Sequence, residues 1–461
     1  MIIQVGAILL SLVVLMVVAY RGLPVIVLAP VCAMLAVGLS GSALLPSYTE
    51  SFMTGASDYI KAFFPIFLLG AVFGKLMETS GSAAAVADAI LRALGPRHAV
   101  TAVVLACGVL TYGGVSLFVV VFAVYPFSAT LFRVAGIPKR LLPGSIALGA
   151  FTLTMDALPG SPQVQNLIPT RYFGTDIYAA PGLGILGGVT ILIAGLLWLE
   201  RRRAQAAAAG EGYGDDHRNE PEPLDVDTLP HLGVALLPLV LVLVTNLILS
   251  RSRWAVAGWY SDELLGRAFP SLKLGTAAPT WALILALCTG VCVTLVLNVK
   301  RLFGKLGGSL SAATTGALLA IFNTASEVGY GSVIKTLPGF GVIRGWVLGS
   351  SKHVLISEAF AVNVLAGITG SASGGLSIAL EVMGKHYLEA AQSQGISAEW
   401  LHRIAAMASG GLDTLPHNGA VITLLAITGL SHRKAYPDIF AITLVKTITV
   451  FALAVFASFL A

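Results

Sequence analysis

The sequence predicts an all-α polytopic membrane protein made of two inverted repeats, each with a re-entrant hairpin and an unwound transmembrane helix. Three observations predict it. The first is composition: of 461 residues 56% are hydrophobic and 11% charged, with a mean hydropathy of +0.86, against roughly 45–50% apolar and about 25% charged in soluble domains. Too few charged residues remain to cover the outside of a soluble fold, so the bilayer is the solvent that fits. The second is a set of apolar segments interrupted by glycine pairs and hydroxyl side chains. The third is an ordered set of landmarks that occurs once in each half of the chain.

At about 20 apolar residues per spanning helix, the length admits roughly ten to fourteen membrane-inserted segments. Clear spans read over residues 2–20, 23–45, 62–77, 183–199, 232–249, 280–299 and 439–459. The opening apolar run lacks a basic n-region and another follows directly after Arg21, so it reads as a first span and not a cleaved signal. The formal charge of +5 is 28 basic against 23 acidic groups, with no basic run longer than Arg201, Arg202, Arg203; nucleic acid is not an expected partner. Cys32, Cys107, Cys288 and Cys292 all fall in apolar stretches without CxxC or Cys/His spacing, which reads as packing, with no metal and no cofactor expected.

The one strongly polar stretch lies between Leu199 and Leu232. Its acidic, Pro and Gly content cannot build a core, and it reads as a flexible cytoplasmic linker. The expected division is a first repeat over 1–199, a linker over 200–230 and a second repeat over 231–461. Lysine and arginine mark cytoplasmic loops: Arg201 to Arg203 and, two crossings later, Lys300, Arg301 and Lys305 lie inside, which puts 251–275 outside. With Arg21 inside, the two halves start on opposite sides, as inverted repeats do.

The repeat is visible in three landmarks. Gly113, Gly114, Val115, Ser116 is followed by Gly136, Ile137 and then by Asp156, Ala157, Leu158, Pro159; in the second half Gly374, Gly375, Leu376, Ser377 is followed by Gly395, Ile396 and then by Asp413, Thr414, Leu415, Pro416. The separations are 261, 259 and 257 residues, a drift that small loop-length changes produce.

An apolar segment that stops at a glycine pair and resumes must be buried in protein or line a cavity if it lies at membrane depth. Two segments have this form, with turns at 112–116 and 369–377, and both read as re-entrant hairpins whose tips meet near mid-membrane. Asp156 and Asp413 follow, each with two residues between it and a proline. Proline removes a backbone donor and clashes with the preceding turn, so both helices are expected to unwind there. Freed carbonyls suit a cation and helix N-termini suit a carboxylate.

An aspartate before a turn can simply cap a helix, but an ionisable group at membrane depth is a functional candidate by default. The expected substrate-facing set is Gly113, Gly114, Ser116, Ser161, Gln163 and Asn166 in the first half, with Ser371, Ser373, Gly374, Ser377, His417, Asn418 and Thr423 in the second. His417 is equally readable as an interhelical hydrogen-bonding group. Candidates for proton or ion coupling are Asp156, Asp413, Glu327 and Asn323. Glu327 and Asn323 end an apolar run that Gly329 and Gly331 are expected to break, and Glu327 is either a proton carrier or half of a structural pair with Lys335.

Gly341, Gly345 and Gly349, and Gly184 with Gly188, read as small-residue ridges for helix packing. Trp254 and Trp259 beside Tyr260 read as an interfacial anchor. No P-loop, HExxH, GxSxG or kinase signature is present.

The stretches GGVSLFVVVFAVYPF, GIPKRLLPGSIALGAFTLTMDALPGSPQ, NTASEVGYGSVI, ITGSASGGLSIALE and SGGLDTLPHNGAVITLLAITGLSH resemble the gluconate permease (GntP) family of the ion transporter superfamily, with the hydroxybutyrate permease branch nearer than the sugar-acid one. The resemblance covers nearly the whole chain. It implies a bacterial inner-membrane symporter for small carboxylates that is a homodimer in membrane lipid, with a scaffold part and a transport part moving elevator-fashion. The serine-asparagine-threonine triplets of the superfamily's dicarboxylate branch are missing at the hairpin tips, which argues against sodium coupling.

The combined expectation is a symporter importing a small hydroxy-monocarboxylate, gluconate-like or 3-hydroxybutyrate-like, with a proton. One rival is a sodium-coupled di- or tricarboxylate carrier. A rival of another class is an intramembrane enzyme using Asp156 and Asp413 as an acid pair.

Overall fold

A computed structural model of the chain describes residues 2–20, 23–214, 218–221, 226–260, 269, 272, 274–349, 351, 353–416 and 418–460. Among these residues the chain is helical, with no strand. The first half runs α1 (Ile2–Tyr20), α2 (Val25–Leu39), α3 (Met53–Thr79), α4 (Ser82–Leu94), α5 (Ala99–Tyr112), α6 (Leu117–Val134), α7 (Leu142–Ala150), α8 (Val164–Phe173) and α9 (Pro181–Ala208). The second runs α10 (Leu232–Arg251), α11 (Leu274–Leu297), α12 (Leu306–Ile334), α13 (Phe340–Gly349), α14 (Val354–Thr369), α15 (Ala372–Ser393), α16 (Ala398–Ser409), α17 (Gly419–Thr428) and α18 (His432–Leu460).

The succession is the same in both halves: a helix pair, a long helix, a shorter helix, a hairpin, a broken helix and a closing long helix. Among the described residues, six helical stretches are long and apolar enough to cross a membrane: Leu44–Thr79, α9, α10, Ala277–Leu297, α12 and α18. A bent pair, Ser82–Leu94 with Pro96–Tyr112 at 100°, makes a seventh if counted as one span. The apolar run at 23–45 is not one span. Its helix ends at Leu39, and a new one begins at Leu44 and continues through a π-turn into α3.

Two hairpins are built by glycine stops. α5 ends at Gly113 and Gly114, the latter at φ +95°, and α14 ends at Gly370 at φ +64°. These are left-handed conformations that a Cβ disfavours, and they turn the chain back into α6 and α15. The second turn therefore falls at 370–371. Gly374, Gly375 and Ser377, expected at the tip, lie inside the first two turns of α15. It is Gly370, not Gly374, that stands at this turn.

α3 and α12 pack extensively against each other. A Cβ on Gly55 would strike Ser332, and one on Gly329 would come within 2.8 Å of the Phe52 carbonyl oxygen, so small residues set how closely these helices approach. Gly329 and Gly331 do not break α12, which continues to Ile334. Gly184 and Gly188 pack against Arg403 and Leu158, as a ridge should, but Gly341, Gly345 and Gly349 face open space. Helix packing does not account for those three within this chain.

The polar connection is not a loose tether over its described residues. α9 extends through the arginines to Ala208. Beyond it Tyr213 is buried, Glu211 pairs with Arg140 at 2.7 Å, Glu220 pairs with Lys139 at 2.6 Å and with Arg133, and Asn219 Nδ2 donates to Ala426 O at 2.7 Å. Asparagine, tyrosine and glutamate side chains that sequence composition counts as solvating are here docked on α6, α17 and the turn before α7. The Arg301 guanidinium donates to Thr228 O at the same end.

Candidate functional site

Two broken helices form the centre of the site. α7 stops at Ala150, passes through a π-turn at Leu153–Ala157 and resumes as α8 only at Val164. α16 stops at Ser409, makes one 3₁₀ turn at Leu412–Thr414 and resumes as α17 at Gly419. Asp156 and Asp413 sit in the irregular turns, and both side chains are buried.

Lys446, from the middle of α18, reaches into the first break. Its ammonium pairs with Asp156 Oδ2 and donates to Phe151 O at 3.1 Å, and both side chains of the pair are fully buried. Gly410 lies against this pair, and any Cβ there would run into Lys446 Nζ and Asp156 Oδ2. The remaining oxygen of Asp156 and Oδ1 of Asp413 have no hydrogen-bond partner. The Thr414 hydroxyl bonds that of Thr443, three residues before Lys446 on α18, so the second break is fastened to the same helix.

Arg403 of α16 is completely buried. It donates to the carbonyl oxygens of Ala179 at 2.8 Å, Ile177 at 3.2 Å and Asp156 at 3.3 Å, and to Asn166 Oδ1 at 2.8 Å. A guanidinium is thus satisfied mainly by carbonyls of the connection between α8 and α9, with one, Asp156 O, from the first break. It supports that break without touching a carboxylate oxygen among its hydrogen bonds.

A cavity of about 350 Å³ lies between the halves. The second half contributes Asn323, Thr324 and Glu327 of α12, Thr369 to Ser373 of the hairpin tip, and Asp413, Thr414 and Asn418 of the break. The first half contributes Leu117, Phe151, Met155 and Gln165. Ala372 and Ser373 begin α15 and Gly419 and Ala420 begin α17, so two helix N-termini open on this space. Their first amide groups carry partial positive charge.

Glu327 is buried and its Oε2 has no hydrogen-bond partner. Its carboxylate fills the space that a side chain at position 374 would take, which is why a glycine stands there. Tyr59 of α3 faces Glu327, Thr324 and Ser377 from behind the cavity. Glu327 does not pair with Lys335. That lysine pairs with Glu381, which also accepts from Ser332 at 3.2 Å and from Tyr172 at 3.0 Å.

Of the residues singled out in the sequence, Asn323, Glu327, Ser371, Ser373, Asp413 and Asn418 line the cavity. Asn323 has a second task, since its Oδ1 accepts from the Ile26 amide in the first turn of α2 at 3.2 Å. Asp156 lies one layer deeper, with Lys446. Ser161, Gln163 and Asn166 are spent within the protein: Ser161 Oγ donates to Thr154 O at 2.6 Å, Gln163 Nε2 to Thr111 O at 2.8 Å, and Asn166 Nδ2 to Ser161 O and Ile177 O, each at 2.9 Å, while Asn166 Oδ1 accepts from Arg403. Gly113, Gly114 and Ser116 shape the first tip, Gly374 and Ser377 back the second, and Thr423 lies on α17 away from the lining. His417 lies outside the described residues.

Sequence reasoning passed over Lys446, Arg403, Gln165 and Thr414. For the first two the signal was present, because a lysine in AITLVKTITVFA and an arginine before IAAMAS are ionisable groups in apolar runs. For Gln165 there was none: it and Gln163 are chemically identical, and only the start of α8 turns one to the hairpin and the other to the cavity.

The family described as GntP family permease matches residues 1–320 of the chain. A Bacillus subtilis (strain 168) protein described as uncharacterized transporter YxjC is 49% identical over 457 residues, covering 96% of this chain and 97% of its own length. The Alcanivorax borkumensis YdaH transporter structure, described as having an unusual topology, aligns over 88% of this chain and 87% of its own with a TM-score of 0.55 at 17% identity. Neisseria gonorrhoeae MtrF, described with a class of antimetabolite efflux pumps, aligns over 90% of this chain and 85% of its own with a TM-score of 0.53 at 12% identity. At these identities the two structures are similar in fold alone.

Proposed function

We propose, for a chain that belongs to the GntP permease family and is a multi-pass membrane transporter, that it imports a small hydroxy-monocarboxylate, gluconate-like or 3-hydroxybutyrate-like, together with a proton. One observation carries the reading: among the described residues the cavity is lined by two buried carboxylic acids, Asp413 and Glu327, and by no lysine or arginine. An anion entering that space meets like charge unless an acid there holds a proton, so anion and proton enter together. The pairing also suits the membrane. Each charge costs about 2.3 kcal/mol per 100 mV, and one proton makes a monoanion electroneutral.

The dimensions and lining support the substrate class. About 350 Å³ is at the small end of ligand sites. Thr324, Thr369, Ser371, Ser373, Thr414 and Asn418 offer hydroxyl and amide partners for substrate hydroxyls, and the N-termini of α15 and α17 offer amide dipoles for its carboxylate. The matched succession of elements supports two inverted repeats with hairpin tips inside the membrane. An elevator-type motion in a dimer, in a bacterial inner membrane, completes the reading. Membership in a permease family favours a carrier over an enzyme with an aspartate pair.

The test is uptake of labelled hydroxy-monocarboxylates by proteoliposomes under separately imposed proton and sodium gradients. Accumulation driven by an inwardly directed proton gradient, falling as external pH rises from about 5.5 to about 8 and unchanged when choline replaces sodium, is expected from one proton held per anion. Uptake that is indifferent to pH and vanishes without sodium would hand the function to the sodium-coupled rival.

A further inference from the structure

Lys446 pairs with one aspartate of the breaks, Asp156, and proton symport as described above makes no use of it. Lys446 enters from a different helix than either aspartate. Its ammonium contacts a carboxylate oxygen, Asp156 Oδ2, and a carbonyl oxygen that the end of α7 leaves free, Phe151 O at 3.1 Å. A carboxylate and freed main-chain carbonyls are the ligands that unwound helices offer to alkali cations. The ammonium stands where such an ion would be held.

The surroundings keep it there. Gly410 has ordinary negative φ, so what position 410 needs is not conformational freedom but the absence of a Cβ, which would strike Lys446 Nζ and Asp156 Oδ2. Two other charged groups, one on α16 and one on α18, are engaged elsewhere, and a third, on α14, is not. Arg403 donates to carbonyl oxygens and to Asn166, and Asp438, earlier on α18, is held by Arg140 and Arg202. Glu358 of α14 has neither oxygen hydrogen-bonded. Asp413 lies within electrostatic reach of Lys446 and Asp156.

We infer that Lys446 is a tethered cation, fixed in the place between the two broken helices that a free sodium ion would otherwise occupy, so that Asp156 is permanently neutralised and Asp413 is the aspartate left free to exchange a proton. The last clause rests on the proposed symport; the first does not. A chain built this way needs no sodium at this position, and removing the lysine should create a sodium site where none exists.

The experiment is thermal unfolding of the purified full-length protein in detergent, in sodium chloride and in choline chloride at equal ionic strength. The wild-type midpoint is expected to be the same in both salts. Lys446→Met is expected to unfold at a lower temperature in choline and to recover by several degrees as sodium is added, saturably, and the recovery is expected to vanish in Lys446→Met/Asp156→Asn. A sodium-dependent shift in the wild type that Asp156→Asn removes would overturn the inference, as would a folded Lys446→Met indifferent to sodium. If Lys446→Met does not fold in either salt, Lys446→Gln, which keeps a donor for Phe151 O, is read in the same way. If neither variant folds, the wild type decides: an unmoved midpoint supports the tethered cation and a saturable sodium shift refutes it. No substrate is used, so this outcome and that of the uptake assay are independent.

Discussion

Gln163 and Asn418 hold the two hairpin tips in matching ways. Each stands at the cap position of the helix that follows a break, and each side-chain amide donates to a carbonyl oxygen of the tip before it, Gln163 to Thr111 and Asn418 to Gly370, both at 2.8 Å. Asn418 also accepts from the Ala420 and Val421 amides through Oδ1. Each tip is thereby tied to the unwound segment of its own half, so hairpin and break are positioned as one unit.

Asn418→Ala removes a cap and a tie at once and leaves two helix amides and the Gly370 carbonyl without these partners. A loss of about 1–2 kcal/mol in stability is expected, read as a lowered unfolding midpoint, together with weaker substrate binding because the tip lines the cavity. Gln163→Ala, whose tip contributes little to the cavity, is expected to lose stability with a smaller effect on affinity. Equal effects of both variants on affinity would refute the assignment of the cavity to the second tip.

Asp413→Asn is expected to abolish concentrative uptake while the protein still elutes as a single folded species. The amide keeps the size of the side chain and removes the exchangeable proton. Uptake unchanged in rate and in pH dependence would show that Asp413 only supports the 3₁₀ turn.

Gly374→Ala is expected to be more damaging than Ser373→Ala, although both positions lie in the first turn of α15. A methyl group at 374 would displace the Glu327 carboxylate, and overpacking of this kind costs about 1–3 kcal/mol. Loss of uptake in Gly374→Ala with Ser373→Ala retaining most of it is the expected pattern. The reverse order would remove Glu327 from the site.

The docked connection after α9 should release in acid and not in base. Arg140 hydrogen-bonds Glu211 and holds its carboxyl below the ordinary 4.5; at Glu220 burial pushes the other way, but the hydrogen bond from Lys139 and its charge outweigh it. Groups with a lowered folded-state pKa contribute stability above their unfolded value and lose it as pH falls through the folded one. Hydrogen exchange over 209–214 and 218–221 should therefore be flat from about pH 5 to pH 8, after correction for the intrinsic rate, with protection lost only below the ordinary glutamate range. Loss of protection on going from pH 6 to pH 8 would contradict the ion pairs as the cause of docking.

The sequence by itself determined that the chain is helical and lives in a bilayer, because with 11% charged residues no other solvent suits its surface. It also located both breaks, since an aspartate followed within three residues by a proline, beside further glycines, disfavours a continuous helix at membrane depth. What only the tertiary structure decided is which polar groups face the cavity and which face the backbone. Periodicity could not separate Gln163 from Gln165, because the helix that orients them starts between the two. It bracketed the second tip within 369–377 but not its place there, since Gly370 and Gly374 look alike until α14 shows where it stops and Glu327 shows what position 374 must accommodate. Lys446 lies 290 residues from Asp156. Their pairing depends on how α18 packs beside the first break, a long-range contact that no local pattern encodes.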